Sequence, residues 1–360
     1  MNDALITIII PTYREARNIP VLVERIVASM KKANLRYEII IVDDDSNDGI
    51  VESVEDLRTK CNITLKVRKH ERGLSSAVLA GFKAGNGDIF LVMDADLSHE
   101  PERIPELVNP ILSGRSDFCV GSRFVKGGSS AHFSTYRKLN AWASKTLARP
   151  LTHVNDPLAG FFAVPRGVLN NHAELSPVGF KIGLEILVKC APRRITEIPI
   201  EFQKRLHGES KLSLKEQTKY LIHLKRLYEY KFKTLSEFIK FSIVGCVGAC
   251  VDLSFTYVAK SVWLLPFPIA RAVGFIFALT ANFLLNRRFT FGRARARNAA
   301  GQYVLFLAVC TLGFFVNWLT SVLLYCAVPF FNTHYLLASS VGILTGLTVN
   351  FTGSKFVAFK

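Results

Sequence analysis

Ile89-Phe90-Leu91-Val92-Met93-Asp94-Ala95-Asp96-Leu97-Ser98-His99 is the stretch on which the fold of this chain turns. Its five leading apolar residues, set between Gly87-Asp88 and a pair of aspartates, predict a short strand buried on both faces, as in a parallel sheet. The two acids then fall at the strand's carboxyl end, where open α/β sheets receive ligands. Carboxylates one residue apart can share a hard, oxygen-seeking divalent cation that holds a diphosphate. A solvated acidic turn capping the next helix is the plainer alternative.

Upstream, strands and helices alternate. Leu5 to Ile10 ends at Pro11-Thr12-Tyr13-Arg14-Glu15, and a helix is expected from Asn18 to Lys32 with Pro20 in its first turn. Tyr37 to Val42 runs into Asp43-Asp44-Asp45-Ser46; a helix near Gly49 to Lys60, a strand at Ile63 to Val67 and a helix ending near Ala84 follow. Such alternation implies βαβ units and a parallel sheet, with Tyr13, Glu15, Asp44, Asp94 and Asp96 on one edge.

The composition is uneven across 360 residues. Charge is concentrated before about residue 235, and apolar runs dominate after it. The net charge of +16 calls for an acidic partner, and the apolar carboxyl half favours anionic lipid and phosphate headgroups over nucleic acid. Cysteines 61, 119, 190, 246, 250, 310 and 326 show no metal-ligand spacing and are read as reduced and structural. Leu5 to Ile10 is too short for a signal peptide and lacks a basic leader, so the first domain is expected in the cytosol.

Pro11-Thr12-Tyr13-x-Glu15, Asp43-Asp44-Asp45, Gly73-Leu74-Ser75 and Asp94-Ala95-Asp96-Leu97-Ser98-His99 together resemble family 2 glycosyltransferases of the GT-A fold, and among them the dolichol-phosphate mannose synthases. The resemblance runs from residue 5 to about 232 and extends to Asp156-Pro157-Leu158-Ala159-Gly160, Gly179-Phe180-Lys181 with Glu185, and Arg205 to Lys211. It implies an α/β, Rossmann-like catalytic domain with a mostly parallel sheet. By the same resemblance Pro11, Tyr13, Glu15, Val42, Asp44, Asp94, Ala95, Asp96, Arg205 and Lys211 would bind the nucleotide sugar, Asp44 or Glu15 accepting from the base. Asp94, Asp96 and Ser98 would form the site of Mg2+ or Mn2+. Arg123, Arg137, Arg205, Ser210 and Lys211 would hold a lipid phosphate, with Asp96, Arg123 and Arg137 as the catalytic set.

The implied reaction moves mannose from GDP-mannose to dolichyl (polyprenyl) phosphate with inversion, the product serving as a sugar donor for glycosylation. A phosphate monoester is mostly ionised at neutral pH, so no general base is required. The Thr-Glu-Asp and Gln-x-x-Arg-Trp motifs of polysaccharide-making relatives do not occur here. A UDP-glucose:undecaprenyl-phosphate glucosyltransferase is the rival within the class; a flippase of lipid-linked sugar with a regulatory soluble domain is the rival outside it.

Two segments carry basic residues opposite an apolar stripe, the pattern of a helix lying in a membrane surface. In residues 136–150 the stripe is Leu139, Trp142, Ala143, Thr146 and Leu147; in 211–235 it is Tyr220, Leu221, Leu224, Leu227 and Tyr228. The alternative is an ordinary helix packed on the core. The expected divisions are a cytosolic GT-A domain over 1–210, an interfacial helix and linker over 211–235, and a membrane domain over 236–360.

Apolar segments at about 238–264, 267–285, 303–328 and 335–353 are each long enough to cross roughly 30 Å of hydrocarbon. Arg287, Arg288, Arg293, Arg295 and Arg297 lie between the second and third, which puts that link, the catalytic domain and Lys360 in the cytosol. The chain is thus read as a multi-pass membrane protein, of the cell membrane if prokaryotic. The spans repeat: Phe238, Phe241, Val244, Gly248, Val251 and Asp252 return 65 positions later, and Val273-Gly274, Asn282-Phe283 and Phe291 return 68 later. Each hairpin resembles half of a GtrA-type membrane module, a family associated with polyprenyl-linked sugars. Asp252, near mid-span, is expected to face the bundle or water, in a functional or a structural role.

Overall fold

The computed structural model describes residues 4–130, 134–170, 174–176, 178–203, 214–292 and 298–360. The chain forms two compact units, Met1–Lys231 and Phe232–Lys360.

In the first unit the strands are β1 (Leu5–Thr12), β2 (Arg36–Asp43), β3 (Ile63–Val67), β4 (Ile89–Val92), β5 (Phe118–Ser122), β6 (Phe162–Pro165) and β7 (Ile195–Pro199). The helices are α1 (Ile19–Lys32), α2 (Ile50–Arg58), α3 (Leu74–Ala84), α4 (Ile104–Leu112), α5 (Thr135–Ala148), α6 (Arg166–Asn170), α7 (Ile182–Lys189) and α8 (Leu214–Lys231). The sheet order is β3-β2-β1-β4-β6-β5-β7. All pairings are parallel except those of β6, which runs antiparallel to β4 and β5.

Period-two alternation builds a core on each face of this sheet. Ile6, Ile8 and Ile10 of β1 and Ile89 and Leu91 of β4 point toward α1, α2 and α4, while Ile9, Phe90 and Val92 point toward α3 and α7. Covered on both sides, these strands are apolar runs, as parallel strands in α/β sheets are. Because β1 pairs with β2 on one side and β4 on the other, their carboxyl ends open together at the point where strand order reverses. Gly87 is needed where the chain enters β4, since a Cβ there would lie 2.7 Å from the Leu5 carbonyl oxygen.

The second unit contains α9 (Lys233–Ser261), α10 (Phe267–Leu285), α11 (Ala299–Ala327), the short α12 (Pro329–Thr333) and α13 (Tyr335–Gly353). π-helical turns at Asn286–Thr290 and Ser354–Ala358 prolong α10 and α13. Among the described residues four helices are long and apolar enough to cross a membrane. The repeat is visible in side chains. Gly248 lies under Asn282 and its counterpart Gly313 under Asn350; Gly274 abuts Asp252 and Thr256, and Gly342 abuts Asn317 and Ser321. Small residues let the helix backbones approach, as in membrane bundles. The Asp252 carboxylate accepts from Thr256 Oγ1 at 3.5 Å and faces this interface. Phe291 and Phe359 stack with ring centroids 5.0 Å apart inside an aromatic cluster shared by both hairpins.

Candidate active site

The carboxyl ends of β1, β2 and β4 form one wall of a cavity of about 910 Å³; the α5 and α8 helices form another. Pro11, Tyr13, Glu15 and Asp44 line its strand side, and Asp94, Ala95 and Asp96 follow. Arg123 and Arg137 line it farther along. Val42 does not reach it: the side chain is fully buried among Ile9, Ile40 and Ala77, because residues alternate along β2 and Val42 takes the core side. Arg205, Ser210 and Lys211 lie outside the described residues, as do Arg293, Arg295 and Arg297.

At the nucleotide end, Asp43 fastens β2 to β1. It accepts from Thr12 Oγ1 at 3.0 Å and from the Ser46 amide at 2.8 Å. The next residue is differently engaged. Arg68 clasps Asp44 through Nε at 2.8 Å and through Nη2, and the Gly73 amide donates to the other carboxylate oxygen at 2.7 Å. Both side chains are nearly buried. The expectation that Asp44 accepts from a base therefore meets acceptors already held by Arg68 and Gly73. This latch closes the 68–73 loop and carries Arg72 to the ring of Tyr13, where its guanidinium sits 5.5 Å from the centroid. Glu15 accepts from Asn18 Nδ2 at 2.7 Å.

Asp94 and Asp96 differ in setting. The Asp94 side chain is 30 % exposed and looks onto Gly160, where a Cβ would come within 3.2 Å of both carboxylate oxygens. Asp96 is buried and accepts from the Ser98 amide at 3.1 Å and the Ser98 hydroxyl at 2.5 Å. Ser98 itself is fully buried, is not part of the cavity wall and orients Asp96 through its hydroxyl. The turn is completed by Leu97 at φ +60° and by His99, whose Nδ1 accepts from the Asp94 amide at 3.2 Å. The imidazole stacks on Phe161. Burial lowers its pKa against the opposing pull of Asp94 and Asp96, which keeps the ring neutral and able to accept.

Opposite the carboxylates lies a group of cations. Arg123 holds Asp156 through Nε at 2.7 Å and Nη2 at 2.8 Å, and its amide donates to the same carboxylate at 3.0 Å. Asp156 is itself fixed from its own amide, which donates to Glu197. The guanidinium carbons of Arg123 and Arg137 lie 5.4 and 5.3 Å from the ring centroid of Phe202, so one aromatic ring gathers both charges. Lys181 lines the same cavity. Sequence reasoning assigned no role to Arg68, Asp156, Lys181 or Phe202; only Asp156 and Lys181 stood within quoted motifs.

The two helices over the cavity are unequal. On α5, Tyr136, Leu139, Trp142 and Leu147 are exposed. On α8, Tyr220, Leu224 and Leu227 are buried within the unit, and Tyr220 and Tyr228 donate to the Ser144 and Leu147 carbonyls of α5. The apolar stripe of α8 is thus largely a protein-packing face, leaving Leu221 and Ile222 exposed.

Residues 7–172 match the family described as glycosyl transferase family 2, and residues 240–359 match the family described as GtrA/DPMS, transmembrane domain. A dolichol-phosphate mannosyltransferase of Pyrococcus furiosus is 37% identical over 358 residues, spanning 98% of this chain and 99% of the relative. The chain belongs to the dolichol-phosphate mannosyltransferases of glycosyl transferase family 2. The family member from Saccharomyces cerevisiae is 40% identical over 259 residues, spanning 69% of this chain and 96% of its own length. Among solved structures, glucosyl-3-phosphoglycerate synthase of Mycobacterium tuberculosis in complex with Mn2+ and UDP-glucose matches at TM-score 0.47 and 18% identity, over 64% of this chain and 79% of that one. As a member of this family the chain is a glycosyltransferase, and its GtrA/DPMS domain with four apolar helices makes it an integral membrane protein.

Proposed function

We propose that this glycosyltransferase moves mannose from GDP-mannose to dolichyl or another polyprenyl phosphate, inverting the anomeric centre. One observation carries the reading. A single cavity sets the Asp94 and Asp96 carboxylates against Arg123, Arg137 and Lys181, as a reaction joining two phosphorylated substrates requires. The relatives named dolichol-phosphate mannosyltransferases support mannose and a dolichyl phosphate as the substrates.

The carboxylate pair fits a divalent cation. Among the described residues no three acidic, His or Cys side chains are arranged to hold a metal ion by themselves, so Asp94 and Asp96 would supply two oxygens and leave positions for diphosphate oxygens and water, as Mg2+ prefers. Gly160 leaves room beside Asp94 that a side chain would fill. When bound, the cation neutralises charge on the departing nucleoside diphosphate. Ser98 fixes the direction of Asp96, and His99 fixes the turn that carries Asp94.

Arg123, itself held by Asp156, and Arg137 screen the attacking phosphate and orient it toward the anomeric carbon. An ionised phosphate oxygen forms the new C–O bond as the bond to the nucleoside diphosphate breaks and its electron pair leaves with the diphosphate. No proton has to move. The exposed Leu139 and Trp142 of α5 support its lying at the membrane surface, and Arg287 and Arg288 support a cytosolic catalytic domain.

Asp96→Asn tests the reading. Purified in detergent with GDP-mannose, a polyprenyl phosphate and Mg2+, the variant is expected to lose synthesis by about a thousandfold while folding normally. Retained synthesis would overturn the assignment of the carboxylate pair.

A further inference from the structure

Lys181 immediately precedes α7 and lines the cavity. Its segment is held in place from α8, because the Val178 amide donates to Nδ1 of the buried His223 at 3.4 Å. The side chain lies along Phe180, with Nζ 4.2 Å from the ring centroid. Among the described residues its one hydrogen-bond acceptor is the Leu158 carbonyl oxygen at 3.0 Å. An ammonium has three donors, and among the described residues no carboxylate takes the others. Its charged neighbours come from both sides of the site: Asp94 from the carboxylate pair, Asp156, Arg123 and Arg137 from the opposite group.

An ammonium partly withdrawn from water with one neutral acceptor is costly to keep. Bracing the Leu158 loop needs a single neutral donor and explains neither the charge nor its position between two sets of phosphate-handling residues. Burial, with Arg123 beside it, brings the group down to about 8, so it still carries its charge at neutral pH.

We propose that the Lys181 ammonium binds a phosphate oxygen at the reacting centre, completing its donors with the substrate. The inference rests on the glycosyl-transfer reading and deepens it. The phosphate belongs either to the diphosphate of the nucleotide sugar or to the monophosphate of the lipid, and the two sources separate by experiment.

Lys181→Met and Lys181→Arg are compared with the wild type in two assays: affinity for GDP and for GMP with Mg2+, and the KM for polyprenyl phosphate. If the donor diphosphate is the ligand, Lys181→Met brings the GDP-to-GMP affinity ratio down by about tenfold. If the lipid phosphate is, the ratio holds and the KM rises by about as much. In either case Lys181→Arg, which keeps the charge, retains part of the effect. A Lys181→Met protein that alters neither quantity, whatever its melting temperature, overturns the proposal and leaves Lys181 as a brace for Leu158. Failure of the wild type to form any glycolipid would overturn the parent reading instead, while the GDP-to-GMP ratio would still test Lys181.

Discussion

At the scale of single residues, the pair Asp44 and Arg68 shows how a site residue can be legible and its partner not. Asp44 stands in a triple aspartate at a strand end, whereas Arg68 is one of several basic residues between β3 and Gly73, with nothing in the sequence to single it out. The structure spends the Asp44 carboxylate on Arg68 and Gly73. Arg68→Ala therefore strands a buried carboxylate, with an expected loss of about 3 to 5 kcal/mol in stability. Adding Asp44→Asn should restore part of it, as thermal melting of the two single variants and the double variant would show; equal losses from Arg68→Ala with either residue at 44 would contradict the coupling. Asp94 and Asp96 were legible for a simple reason: an apolar strand ending in paired acids is a local pattern. The way Ser98 serves the motif was not legible, because the same sequence suits a direct ligand and a hydroxyl that orients one; in the structure Ser98 is buried and bonds Asp96. Val42 was named through the resemblance alone, and the alternation of β2 sets its side chain in the core.

At the scale of elements, α5 and α8 show the same ambiguity. An apolar stripe is identical in sequence whether lipid or protein covers it. On α5 Leu139 and Trp142 are exposed, on α8 Leu224 and Leu227 are covered, and nothing in the two patterns announces the difference. Strands β6 and β7 were missed likewise, since four or five residues among glycines and prolines give little periodicity. The buried face of α8 carries His223, whose pKa is lowered by burial and by Lys189 and Arg226, with Glu185 opposing. Its folded pKa thus lies below the solution value near 6.5. As pH falls through that value the unfolded chain takes the proton first, so stability is complete above it and declines below it. The melting temperature of the wild type should drop between about pH 7.5 and 5.5 more steeply than that of His223→Gln. Parallel profiles would show that His223 titrates as freely in the folded protein as in the unfolded chain.

At the scale of the whole molecule, the division into a charged α/β unit and an apolar helical unit was plain from composition, and the duplicated hairpins from spacing alone. Both follow from solvent: a chain facing water and a chain facing lipid cannot share a composition. The structure adds the contacts behind the repeat, Asn282 on Gly248 and Asn350 on Gly313. The substrate proposed for the chain is a lipid bearing a phosphate. The central claim is therefore tested on the full chain in detergent or liposomes, offered a polyprenyl phosphate with Mg2+ or Mn2+ and, in parallel, GDP-mannose and UDP-glucose. Metal-dependent release of GDP with formation of a mannolipid, abolished by EDTA, is the expected result. Release of UDP with a glucolipid, or no transfer from either donor, would contradict it.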